Sequence, residues 1–190
     1  MRAIVALAVL WGVLVARDIA GDVAAVDAFL ADSPKQLSGP PPEFGSATFH
    51  RRGDYEWNAV WPIADSLGVV TTGQLRFVVR PGLLLGLSIS VIFDRKAVAR
   101  LDIVPAQECE LNPLWAAALG LPPRVCGPHF HTWEHNRDHV LATEEWELPC
   151  RELLPPQVRK FDQAFPWLAA RVNLVLTPDQ RRFEPPSRLV

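Results

Sequence analysis

Only three of the 190 residues are cysteine: Cys109, Cys126 and Cys150. The count is odd, the spacing is wide and no Cys-x-x-Cys pair occurs. These features disfavour a disulfide framework and fit a reducing, cytoplasmic compartment. Excess basic charge is also missing. Nineteen Lys and Arg stand against 21 Asp and Glu, for a net charge of −2. That leaves no global field to neutralise duplex phosphates, so strong duplex DNA binding is not expected. Small pairs such as Arg51-Arg52 and Arg181-Arg182 leave local handling of a short single strand open. The apolar run at residues 3–16 is shorter than the roughly 20 residues of a comfortable membrane helix. There is no Gly-rich phosphate loop, nucleophile elbow, dinucleotide fingerprint or internal repeat.

What is present supports one sizeable core. Apolar residues make up 49% of the chain, which excludes a disordered protein. Met1-Arg2 and the run at 3–16 look like the start of a signal peptide, but cleavage after Ala16 would set bulky Leu14 at the −3 position. Ile19, Val23, Val26 and Leu30 then continue on one helical face, so residues 1–34 are expected to form an N-terminal helix. Export, or membrane anchoring through residues 3–16, is the alternative.

From Ala47 the pattern turns to period two. Tyr55, Trp57, Ala59, Trp61 and Ile63 alternate with Glu56, Asn58 and Val60. Leu75, Phe77 and Val79 follow, then Leu87 to Phe93 and Val98 to Val104, with turns at Pro81-Gly82 and Asp94-Arg95-Lys96. This predicts an antiparallel β-meander. Asn112 as a cap, Pro113 at the first position and Gly120 at the end mark a short helix over 113–119. Val158, Phe161, Phe165, Leu168 and Val172 predict a helix over 157–173, kinked or split by Pro166, on one face of the sheet. The expected fold is therefore α+β, with a single domain over 45–175 and a tail from 176 to 190.

Four of the five histidines fall between His129 and His139. Imidazole titrates near neutrality and binds metals. On a strand over 128–134, His129, His131 and Trp133 share one face. The pair His129 and His131 suits a general acid and base, or two ligands of a divalent metal ion with Asp102 or His135 completing the site. Cys126 at Cys-x-x-His-x-His spacing is a weaker third ligand. Residues 135–139 read as a polar turn in which Arg137 holds a carboxylate or phosphate. His135 and Asn136 stand there as substrate contacts beside Trp133. Arg100 and Asp102 share a strand face; Asp102 orients an imidazole if that face meets the histidines. Glu110 is a further carboxylate near Asn112-Pro113. Structural histidines in a non-catalytic interaction protein are the remaining reading.

The succession Arg100-Leu101-Asp102-Ile103, Asn112-Pro113 and Gly127-Pro128-His129-Phe130-His131 resembles a group of small uncharacterised bacterial proteins. That pattern is in turn distantly similar to the TumE-type toxins of toxin–antitoxin pairs, over about residues 97–140. The resemblance implies a ribonuclease-like activity on RNA and a cognate antitoxin as partner. His129 and His131 would then be acid and base, with Asp102 and Arg137 beside them.

Overall fold

A computed structural model describes residues 18–45, 48–49, 55–80 and 86–185. The apolar run at 3–16, the Pro81-Gly82 turn and the last five residues lie outside this range.

The chain runs α1 (Ile19–Ala31), β1 (Lys35–Leu37), β2 (Thr48–Phe49), β3 (Tyr55–Ala64), β4 (Val70–Arg80), β5 (Gly86–Phe93) and β6 (Lys96–Ile103). It continues through β7 (Cys109–Leu111), a 3₁₀ helix (Leu114–Leu119), β8 (Arg124–Cys126), β9 (His129–His131) and α2 (Trp133–Thr143). The last elements are β10 (Glu152–Leu153), α3 (Phe161–Arg171), β11 (Leu174–Val175) and α4 (Pro178–Arg181). The main sheet has the order β10-β9-β6-β5-β4-β3-β1-β11, with β2 on β3, and β7-β8 form a separate ribbon. Among the described strands only β1 and β11 pair in parallel; the meander β3 to β6 is antiparallel, as its alternation predicts. Asp94 and Arg95 both take positive φ (51° and 66°), the two left-handed residues that a tight hairpin between twisted strands demands.

Pairing sets the faces. Trp61 lies opposite Leu75, Phe77 opposite Ile89, Ile89 opposite Leu101, and Leu101 opposite Phe130. These residues line one face of the sheet and belong to a single buried cluster with Val23 and Val26 of α1 and Phe165 and Leu168 of α3. Each such side chain contributes about 1.5–3 kcal/mol of burial. Val158 is buried ahead of α3, and the helix runs through Pro166 without splitting. The segment expected as a tail supplies Leu176 and Phe183 to this core, where the Phe183 ring lies 5.2 Å from those of Trp61 and Phe77.

Two local expectations need correction. The histidine strand is only three residues long, and residues 133–143 are the helix α2 rather than an extended stretch followed by a turn. Thr132 caps it, its side-chain oxygen accepting from His135 N at 3.0 Å. Only Trp133, Asn136 and Val140 of α2 are buried, so the helix lacks the apolar stripe that would reveal it in the sequence. The short helix after Pro113 is a 3₁₀ turn ended by Gly120 at φ 74°, as its Pro and Gly predict, but Asn112 is not its cap. The Asn112 amide instead donates to Pro122 O and Arg151 O, and its carbonyl accepts from Arg151 N.

Candidate functional site

On the face of the sheet opposite the core, three strands bring a polar cluster together. Ser88 of β5 lies opposite Asp102 of β6, and Asp102 lies opposite His129 of β9. One step along, Ser90, Arg100 and His131 form the next row. The shared face of Arg100 and Asp102 thus meets the histidines.

The Asp102 carboxylate is the hub. Its Oδ2 lies 3.5 Å from His129 Nε2 and 3.3 Å from His131 Nε2, and accepts from Arg100 Nε at 2.7 Å. Its Oδ1 accepts from the Ser88 hydroxyl. One atom each from Asp102, His129 and His131 fall within 4.8 Å of one another. Both rings are fixed from behind: His129 Nδ1–H donates to Gly127 O at 2.8 Å and His131 Nδ1–H to Leu148 O at 2.6 Å. A carbonyl only accepts, so each neutral ring carries its proton on Nδ1 and turns the Nε2 lone pair toward Asp102. This is how protein groups behind a metal-binding histidine set its tautomer.

Burial is nearly complete. His129 is 2% exposed and His131 1%, while the Arg100 side chain beside them is 42% exposed. His129 Nε2 is a buried atom without a hydrogen-bond partner. Burial raises the Asp102 pKa, but the two imidazoles, which donate to it through Nε2 when protonated, the Arg100 charge and Ser88 hold it well below the usual carboxylate range. Burial likewise opposes charge on His129. The Asp102 carboxylate, which accepts from Nε2 once the ring is protonated, together with Gly127 O and the charges of Asp102 and Glu110, outweighs it and raises the pKa. At His131 burial wins, reinforced by the Arg100 guanidinium, whose Nη2 lies 3.1 Å from Nε2, and the pKa falls.

The covering layer is residues 148–151 and the β7–β8 ribbon. Two buried asparagines hold successive residues of this layer. Asn136 accepts from Cys150 N at 2.7 Å and donates to Cys150 O and Thr132 O, while Asn112 does the same for Arg151. Asn136 is thus a clamp rather than a substrate contact.

Cys109 and Cys126 lie directly opposite each other on the ribbon and are joined by a disulfide. This corrects the reading of the cysteines as free thiols and removes Cys126 as a metal ligand. Cys150 is the free, buried thiol, pushed up to about 11 by burial. Glu110 of the same ribbon pairs with Arg151 at 2.8 Å and is near enough to act on His129.

The other expected site residues lie elsewhere. Arg137 grips Asp27 of α1 through Nε and Nη2, both 2.9 Å from Oδ2, beside a cavity of about 410 Å³ lined by Ala99 and Phe130 on the core side of the sheet. Trp133 donates to the same Asp27 at 2.7 Å. His135 faces Glu152 at 3.9 Å, away from the cluster. Sequence reasoning missed Ser88; its signal was the alternation of Ser88 and Ser90 along β5.

The chain matches no protein-family model, no curated protein and no solved structure.

Proposed function

We propose that this chain is a metal-binding protein in which Asp102, His129 and His131 hold one divalent transition ion, zinc foremost, with a coordination position left for water or substrate. The observation that carries the reading is the convergence of two Nε2 lone pairs and one carboxylate on rings fixed by main-chain carbonyls. Two imidazoles and a carboxylate suit zinc and non-haem iron. In the metal-bound form Arg100 turns outward, for which its partial exposure leaves room. The test is metal content after loading and dialysis, together with the visible spectrum of the cobalt-substituted protein. One ion per chain, lost in His129→Gln, His131→Gln and Asp102→Asn, is expected. A folded wild-type chain that retains no ion rejects it.

A second reading is acid–base chemistry on RNA by the same two histidines, in line with the toxin resemblance. The opposite pKa directions of His129 and His131 favour it, because such divergence separates an acid from a base. Arg100 would take the phosphate role expected of Arg137. Cleavage of single-stranded RNA in the presence of chelator, abolished by His129→Gln, would establish this reading over the metal one.

The disulfide supports an oxidising compartment over the cytoplasm, with residues 3–16 as the export or anchoring segment. It therefore weighs against a cytoplasmic antitoxin as the partner. Alkylation of the denatured native protein should label one thiol, Cys150; three labelled thiols would return the chain to a reducing compartment.

A further inference from the structure

The 3₁₀ helix Leu114–Leu119 and α2 enclose a groove of about 420 Å³ that takes no part in the histidine–aspartate cluster. Trp115 and Leu119 form one side; Glu134, Asp138, His139 and Ala142 form the other. The His139 ring stacks on the Trp115 indole with centroids 5.3 Å apart. Leu114, Trp115 and Leu119 are 94%, 41% and 46% exposed, an unusual cost for one six-residue turn. Large apolar side chains grouped in this way on a surface mark an interaction site.

Charge selects the occupant. Among the described residues no Lys or Arg lines the groove, while Glu134 and Asp138 do. Glu134 has no ion-pair partner among the described residues. Asp138 meets only Arg137 Nη1, at 3.3 Å, through a side chain 94% exposed, where such a contact is worth little. Phosphate-bearing partners, whether nucleic acid or an acidic membrane, are repelled. A cation is favoured by the two carboxylates. The apolar surface also runs beyond the groove to Leu114, farther than a small ion requires.

We infer that this groove docks a cationic amphipathic segment of a partner protein, its apolar side chains against Trp115 and Leu119 and a Lys or Arg at Glu134 and Asp138. The inference is independent of the metal reading. The probe is a fluorescein-labelled helical peptide of Leu, Ala and Lys, compared by anisotropy with its counterpart carrying Glu for Lys. The Lys peptide is expected to bind the full chain about tenfold more tightly or better, since like charges across an interface are penalised. Trp115→Ser should weaken it about tenfold, as loss of an aromatic anchor does. Asp138→Lys, at a side chain too exposed to matter for folding, should weaken the Lys peptide and strengthen the Glu peptide. Equal binding of the two peptides, no binding, or indifference to Asp138→Lys overturns the inference. So does a dimer in sedimentation equilibrium that Trp115→Ser dissolves, because the groove would then serve a second copy of the chain.

Discussion

Arg100 places Nη2 3.1 Å from His131 Nε2 and donates through Nε to Asp102. The guanidinium thus uses the lone pair and the carboxylate that a bound ion would need. Arg100→Gln removes this competing cation and keeps a polar side chain at the half-exposed position. Zinc affinity should rise on the order of tenfold, the size of one screened charge–charge contact near a surface. Competition titration against a chromophoric chelator measures it. Unchanged or weaker binding would mean that Arg100 supports the ion instead of opposing it.

The two histidines push pH dependence in opposite directions in the metal-free protein. The His129 pKa is raised on folding, so its contribution is full below the ordinary histidine value and is lost as pH rises through the folded value. The His131 pKa is lowered, so its contribution is present above the ordinary value and is lost as pH falls through the folded one. Near neutrality the two oppose each other, so the wild-type change between about pH 8 and 6 should fall between those of the two single variants. His131→Gln should gain stability on going from pH 8 to 6, and His129→Gln should lose it. The Asp102 contribution lies lower, being lost only as pH falls below the ordinary carboxylate range toward its depressed folded value. Urea midpoints at the two pH values decide the matter; parallel changes in both variants would contradict the assignment.

Asn136→Ala removes the side-chain partner of the buried Cys150 N–H and Cys150 carbonyl, and one of the two donors to Thr132 O. Leaving such groups unpaired costs about 1–3 kcal/mol each where water cannot reach them. A loss of about 2–4 kcal/mol in chemical denaturation is expected after partial relaxation. The layer that supplies Leu148 O to His131 should loosen with it, weakening metal binding. A surface-sized effect below about 0.5 kcal/mol would show that Asn136 is no clamp.

The four long strands were legible because alternation survives in a half-buried antiparallel sheet, and α1 and α3 because their buried residues recur at helical spacing. Asp102, His129 and His131 were legible as residue types and positions. Their meeting depended on strand register, which Ser88, Arg100 and the two imidazoles resolve only once β9 is placed beside β6. Arg137 was misread because Asp27 lies 110 residues away in the sequence, and no local pattern announces such a pair. Helix α2 was hidden by its polarity. The disulfide was hidden because two cysteines 17 positions apart reveal nothing until the ribbon aligns them.

The disulfide and His129 are joined through Gly127. Its N–H donates to Glu108 O at 2.8 Å beside the Cys109–Cys126 pair, and its carbonyl accepts from His129 Nδ1–H. Gly127 has φ 82°, and an added Cβ would stand 3.2 Å from Ala106 Cα. Gly127→Ala should therefore cost about 1–2 kcal/mol, since a side chain is strained in that left-handed backbone. Cys109→Ser with Cys126→Ser releases a loop of comparable size to those whose closure is worth about 3 kcal/mol. Both changes act on the His129 side of the cluster and leave the Leu148 contact of His131 in place. Each should lower zinc affinity and shift the His129 imidazole NMR signals more than those of His131. Loss of stability with metal affinity intact would confine the bridge to a structural role.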